Sequence, residues 1–116
     1  MQKTITAVLL CLACLLLGGV WTTAEEFGAE QMHLYGGDRG AVPFPHRRHQ
    51  ERLTDCNICH AVFPRQKDSI KTMQAAGALS PKVVMNKQCI KCHRAEKRAG
   101  NPSGPTTCSK CHVRGG

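Results

Sequence analysis

Six of the eight cysteines and three of the six histidines fall into three copies of one pattern. The copies are Cys56-Asn57-Ile58-Cys59-His60, Cys89-Ile90-Lys91-Cys92-His93 and Cys108-Ser109-Lys110-Cys111-His112. Two thiols three residues apart lie on one side of a helical turn. From there each can add to a vinyl group of the same porphyrin, and the next residue, His, carries its imidazole under the iron. CxxCH is accordingly the attachment signature of c-type haem, and three chance copies at this composition are on the order of a few per million. The expected cofactors are three covalent c-type haems, held by Cys56, Cys59, Cys89, Cys92, Cys108 and Cys111, with His60, His93 and His112 as proximal iron ligands. Two other readings use the same residues. Structural zinc favours CxxC pairs but wants four ligands from two of them, which three identical triplets supply poorly. A disulfide scaffold suits an exported chain but gives no reason for a His after every second Cys.

Three further histidines remain for the opposite sides of the irons: His33, His46 and His49. His46 and His49 stand three apart in His46-Arg47-Arg48-His49. On a helix they share a face yet diverge by about 60°, so they can reach two different irons.

Val42-Pro43-Phe44-Pro45-His46-Arg47-Arg48-His49, followed by Asp55-Cys56-Asn57-Ile58-Cys59-His60, resembles the opening of the class III multihaem cytochromes c. With three attachment sites the chain is most similar to their triheme cytochrome c7 subgroup, over about residues 31–114. Ala61 stands where tetrahaem relatives carry another His, which agrees with the loss of one haem. The resemblance implies that His46 completes the first haem with His60, and His49 the second with His93. It also exposes a departure. In the bis-His relatives the distal ligand of the last haem lies four residues before the second CxxCH, and here that position is Met85. A thioether is a recognised axial ligand of c-type haem, so Met85 is the expected partner of His112, with His33 or an open iron as the alternatives.

These sites need elements to position them, and the composition limits what those can be. From Glu25 onward there are 14 Leu, Ile, Val and Phe in 92 residues. That is about 15%, below the roughly 20% under which a charged chain stays disordered. A chain this small and apolar-poor cannot build an adequate core from side chains alone. A conventional large-cored enzyme is excluded, and the fold class expected is a small multihaem cytochrome of the c3/c7 type with a haem-stacked core. Gln31–Tyr35, a Gly36–Gly40 turn and Ala41–Phe44 read as a short N-terminal hairpin, with Pro43 confining its second strand to an edge and His33 facing solvent. Residues 25–30 read as a frayed start and residues 46–54 as a helical turn. Phe44, two residues before His46, is placed to pack on a porphyrin face or simply in a core. Asp68-Ser69 can cap a helix to about Ala76 that ends at Gly77, inside the 28 residues between His60 and Cys89. The second motif should open a helix to about Ala99, and Gly100–Pro105 reads as the linker to the third. The remaining regular structure is expected to be a few short helices among loops.

Residues 1–24 read as an export signal: Lys3, an apolar run over 4–20, then small residues ending at Ala24. The domain is then 25–116 in the periplasm, with an uncleaved inner-membrane anchor as the alternative, since 17 apolar residues reach the short limit of roughly 17–25 for a span. Cys11 and Cys14 belong to that apolar run and are not read as a site. After residue 24 the chain holds 15 Lys/Arg against 8 Asp/Glu. Six haem propionates and three ferric centres bring the sum to about +4 oxidised, so nucleic-acid binding is not indicated. Residues 82–114 nevertheless carry eight Lys/Arg and only Glu96 in opposition, which reads as a solvated basic face or as a docking patch for an acidic redox protein. The expected function is periplasmic electron transfer by a monomer without a small-molecule substrate. By resemblance its partners are an inner-membrane quinol oxidase or dehydrogenase on one side and a terminal or outer-membrane reductase on the other. A small multihaem reductase using an open third haem is the rival.

Overall fold

A computed structural model describes residues 27–114. The expected export signal, with Cys11, Cys14 and the expected boundary after Ala24, lies outside the described residues.

The chain begins with a two-stranded antiparallel sheet. Strand β1 (Met32–Leu34) pairs with β2 (Val42–Phe44) in the register Met32↔Phe44, His33↔Pro43, Leu34↔Val42. The period-2 alternation turns Met32, Leu34, Val42 and Phe44 to the half-buried face and leaves His33 and Pro43 exposed on the other. A 3₁₀ turn, Gly37–Arg39, joins the strands, and Gly37 and Gly40 take φ of 61° and 94°, which favour glycine. The far end of the chain returns here: the Val113 N–H donates to the Ala41 carbonyl at 2.8 Å.

Helix α1 (His46–Leu53) follows directly and stops at Thr54, a non-glycine residue at φ 58°. Its N-cap is Pro45, which offers no side-chain acceptor, so the open N–H groups of the first turn need another partner. Residues 27–30 supply it. The Arg47 N–H donates to Glu30 O at 3.1 Å, Arg47 pairs with the Glu30 carboxylate at 3.0 Å, and Gln50 donates to Phe27 O at 2.6 Å. The expected frayed start is thus corrected: residues 27–30 are docked along α1.

The first motif forms the single turn α2 (Asn57–His60), opened by an Asp55 carboxylate that accepts the Asn57 N–H at 2.9 Å. Helix α3 (Ser69–Ala75) lies in the long segment before the second motif. Gly77 ends it at φ 70°, and the Met73 carbonyl accepts the N–H groups of Ala78 and Leu79. At its other end the expected cap is not made. Asp68 sits at φ 56° and offers its backbone carbonyl to Thr72, not its side chain.

Ser80 and Pro81 then start one helical run in three parts: α4 (Pro81–Val83), a π-helical segment (Val84–Cys89) and α5 (Ile90–Arg98). The helix expected from the second motif onward is present in α5, but the run starts nine residues earlier, at Pro81. The third motif makes the short α6 (Cys108–Cys111). Among the described residues the buried apolar side chains are Ile70 and Leu79, 6% and 7% exposed, and both belong to the α3 segment. That segment has its own small cluster. The rest of the fold is organised around the histidines and thiols.

Candidate haem sites

Five histidines share one local geometry. Each Nδ1 lies at hydrogen-bond distance from a backbone carbonyl: His46 from Ala29 O (3.0 Å), His49 from Pro45 O (2.9 Å), His60 from Phe63 O (2.8 Å), His93 from Pro105 O (2.7 Å) and His112 from Gly40 O (3.0 Å). A carbonyl oxygen only accepts, so Nδ1 carries the proton in all five. The lone pair then sits on Nε2, the nitrogen left free to bind a metal, and the hydrogen bond fixes the ring's direction. His33 stands apart, exposed on the outer face of β1.

Four of these rings meet in two pairs. His46 and His60 have centroids 6.2 Å apart with planes at 89°, and His49 and His93 are 6.1 Å apart at 38°. With metal–nitrogen bonds of about 2.0 Å, an iron between two imidazoles sets their centroids roughly 6.3 Å apart. Both pairs fit a shared iron, and the three-residue step on α1 sends its two histidines to two different motifs. Phe44, the last residue of β2, places its ring 4.3 Å from His49 and 6.0 Å from His46. It therefore packs on the imidazoles that α1 presents, a contact with His rings where the sequence suggested a porphyrin face or a plain core position.

His112 is set differently. Its ring lies in the hairpin turn, where a Cβ on Gly36 would stand 2.7 Å from Nδ1. Among the described residues no imidazole faces it. Met85, its expected partner, is half-buried in the π segment, where its carbonyl accepts the N–H of Ile90 five residues on. Glycine does the same service at His93: a Cβ on Gly104 would come within 2.4–2.8 Å of three ring atoms. Neither Gly36 nor Gly104 has a positive φ: Gly104 supplies space for an imidazole, and Gly36 supplies it first for the Gly40 carbonyl and then for the His112 ring. The sequence marks both only as turn or linker glycines, and nothing in their neighbours reveals this use.

The thiols are free; Cys59 and Cys111 are half-buried and the other four are on exposed residues. Burial pushes the Cys59 thiol up from its ordinary value, with Cys92 and then Cys56 adding repulsion. Burial likewise raises Cys89, helped by Cys59 and, more weakly, Cys111, and burial then Cys108 raise Cys111. Cysteines of all three motifs thus sense one another, as closely packed haems require. No three His, Cys, Asp or Glu side chains converge as a zinc site among the described residues. The donor set instead fits haem: thiol pairs on a helical turn, each followed by an imidazole with Nε2 free.

Comparison with known proteins agrees. The family model described as cytochrome c7 and related cytochrome c matches residues 42–113. A cytochrome c7 of Geobacter metallireducens is 27% identical over 95 residues, spanning 82% of this chain and 88% of that one. Among solved structures, PpcC, a cytochrome c7 from Geobacter sulfurreducens, is 30% identical with a TM-score of 0.51, covering 75% of this chain and all of its own. The triheme cytochrome PpcA from the same organism is 29% identical with a TM-score of 0.53, covering 74% of this chain and all of its own. The hairpin, the few short helices and the three CxxCH motifs are those of this group, and the chain belongs to the cytochrome c7 family, electron-transfer cytochromes with three covalently bound c-type haems.

Proposed function

We propose that this protein is a periplasmic electron carrier, residues 25–116 after removal of the leader, passing single electrons between respiratory redox proteins. The axial ligands in this reading are His46 with His60, His49 with His93, and Met85 with His112. The observation that carries it is the pair of facing imidazoles at 6.2 and 6.1 Å, each ring held by a carbonyl at Nδ1. Bound in these places, the haems supply one-electron iron chemistry. The two residues named for each haem would hold its iron from opposite sides. With a protein donor retained on both sides there would be no place for a substrate, and reorganisation would be small, which suits outer-sphere transfer.

The basic lobe supports an acidic partner. Lys87, Lys91 and Lys97 are exposed, and the one opposing acid of residues 82–114, Glu96, is already paired with Arg52 at 2.6 Å. Export rests on the leader pattern of residues 1–24. No helix among the described residues is long and apolar enough to cross a membrane.

A redox titration of the holoprotein with optical spectra at each potential tests the ligand set. Two haems should titrate together and the third at higher potential, with a weak sulfur-to-iron charge-transfer band in the far red of the ferric protein. Three equal potentials without that band would remove Met85 from the site and make His33 the leading candidate. A second reading, a small reductase working at the third haem, draws on the absence of an imidazole facing His112 among the described residues. Carbon monoxide or nitrite added to the reduced protein separates the two, since a carrier with filled axial positions gives no ligand-induced spectral change.

A further inference from the structure

Helix α1 carries His49 and helix α5 carries His93, and three residues further along each helix stand Arg52 and Glu96. The Arg52 guanidinium donates to the Glu96 carboxylate at 2.6 Å. The imidazole pair and the ion pair are therefore successive rungs between the same two helices, one about 4.5 Å beyond the other along each axis. Glu96 does more than close the second rung. The same carboxylate oxygen accepts the Asn101 side-chain amide at 3.1 Å, and the Asn101 N–H donates to the Glu96 carbonyl at 3.0 Å. Asn101 opens the loop in which Gly104 leaves room for the His93 ring and Pro105 accepts its Nδ1 proton. One side chain thus joins the helix of the distal ligand to the loop that seats the proximal one.

Resting on the assignment of His49 and His93 to the second haem, we infer that Arg52 and Glu96 are positioning residues that set the mutual angle of those two imidazoles. Both side chains are partly exposed, 59% and 38%, and exposed pairs contribute little to global stability. Their influence is local geometry. The first haem's pair provides an internal reference, because His60 sits on the one-turn α2 and Arg47, next to His46, pairs instead with Glu30. Ring planes at 38° and 89° also give the two sites different signatures. In low-spin ferric iron, nearly parallel imidazoles split the two dπ orbitals and give a rhombic electron paramagnetic resonance signal. Perpendicular rings leave those orbitals close in energy and give a strongly anisotropic one.

The test is this resonance spectrum of the oxidised holoprotein, with thermal unfolding alongside. Arg52→Gln and Glu96→Gln should each shift or split the rhombic signal, leave the anisotropic one in place and barely move the unfolding midpoint. The exchanged pair Arg52→Glu with Glu96→Arg should restore it. His49→Ala should abolish the second haem's rhombic signal and leave the third haem's own low-spin signal in place. If His49→Ala abolishes it but neither Gln variant alters it, the positioning role is wrong and the ligand assignment stands. If the Gln variants alter it and the exchange does not restore it, the ion pair is not the cause, which also overturns the inference. If His49→Ala leaves the rhombic signal intact, the ligand assignment itself has failed and the inference with it.

Discussion

Helix α1 and the hairpin turn solve the same problem in different ways. On α1 two histidines three residues apart each meet a second imidazole, with Phe44 beside both rings. Local sequence spacing sets the directions of the two α1 rings, and the facing rings come from α2 and α5. At the turn, His112 is held by Gly40 O, with Gly36 alongside, 72 and 76 residues away in sequence, and the Val113–Ala41 bridge closes the corner. The lesson is that one helix can present a histidine to each of two haem sites three residues apart, whereas His112 is seated by a segment 72 residues away.

The largest effect should come from removing what both regions share. Replacing all six motif cysteines by Ala should leave an unfolded, protease-sensitive chain, since the apolar side chains buried among the described residues, Ile70 and Leu79, cannot offset the conformational entropy of folding. A cooperative thermal transition in that variant would contradict the idea that haem organises both regions.

The contrast itself is tested at Met85. A thioether favours ferrous iron relative to imidazole. Met85→His should therefore lower the third haem's potential toward the other two, by on the order of 0.1–0.2 V. Met85→Ala should open that iron to carbon monoxide and erase the far-red band. Unchanged potentials in both variants would reduce Met85 to a packing residue.

A smaller change sharpens the second pair. In Gly104→Ala the new methyl would stand 2.4 Å from His93 Cε1, so the ring or the loop must move. Overpacking of this kind costs typically about 1–3 kcal/mol, and a calorimetric scan should show the loss. The haem titration should show the second potential moving and the first staying put.

Charge separates the two regions as well. Reversing Lys87, Lys91 and Lys97 to Glu should slow reduction by an acidic redox protein and flatten the salt dependence of that rate. Stopped-flow rates that stay the same at low salt would return the lobe to ordinary solvated surface.

The smallest expected effect is on acid stability. Arg52, then Asn101, hold the Glu96 carboxyl below its ordinary value of about 4.5. The unfolded chain therefore binds this proton first, and the contribution of the ionised carboxylate is present above about 4.5 and lost as pH falls through the lowered folded value. Glu96→Gln should flatten the pH dependence of the unfolding midpoint in that window, with a slightly lower midpoint near pH 7 that converges on the parent's in acid.

The sequence alone carried the chemistry of this protein. CxxCH fixes which atoms bond to a porphyrin, because two thiols and an imidazole on one helical turn are a local arrangement. The three-residue step between His46 and His49 likewise lets them reach two different motifs, and their rings face His60 and His93. Low apolar content determined that side chains would not form the interior, and alternation in residues 31–44 marked the hairpin. What only the tertiary structure decided is contact between distant segments. It decided that residues 27–30 lie along α1, since the open N–H groups behind Pro45 need carbonyl partners that no local rule specifies. It placed Phe44 on the α1 histidines and put Gly36 and Gly104 against proximal rings. The π segment before Cys89 and the Arg52–Glu96 rung belong to the same class. Spacing along a chain sets direction within a turn or two, but which carbonyl meets which imidazole depends on how whole helices cross, and that is settled only when the chain has closed on itself.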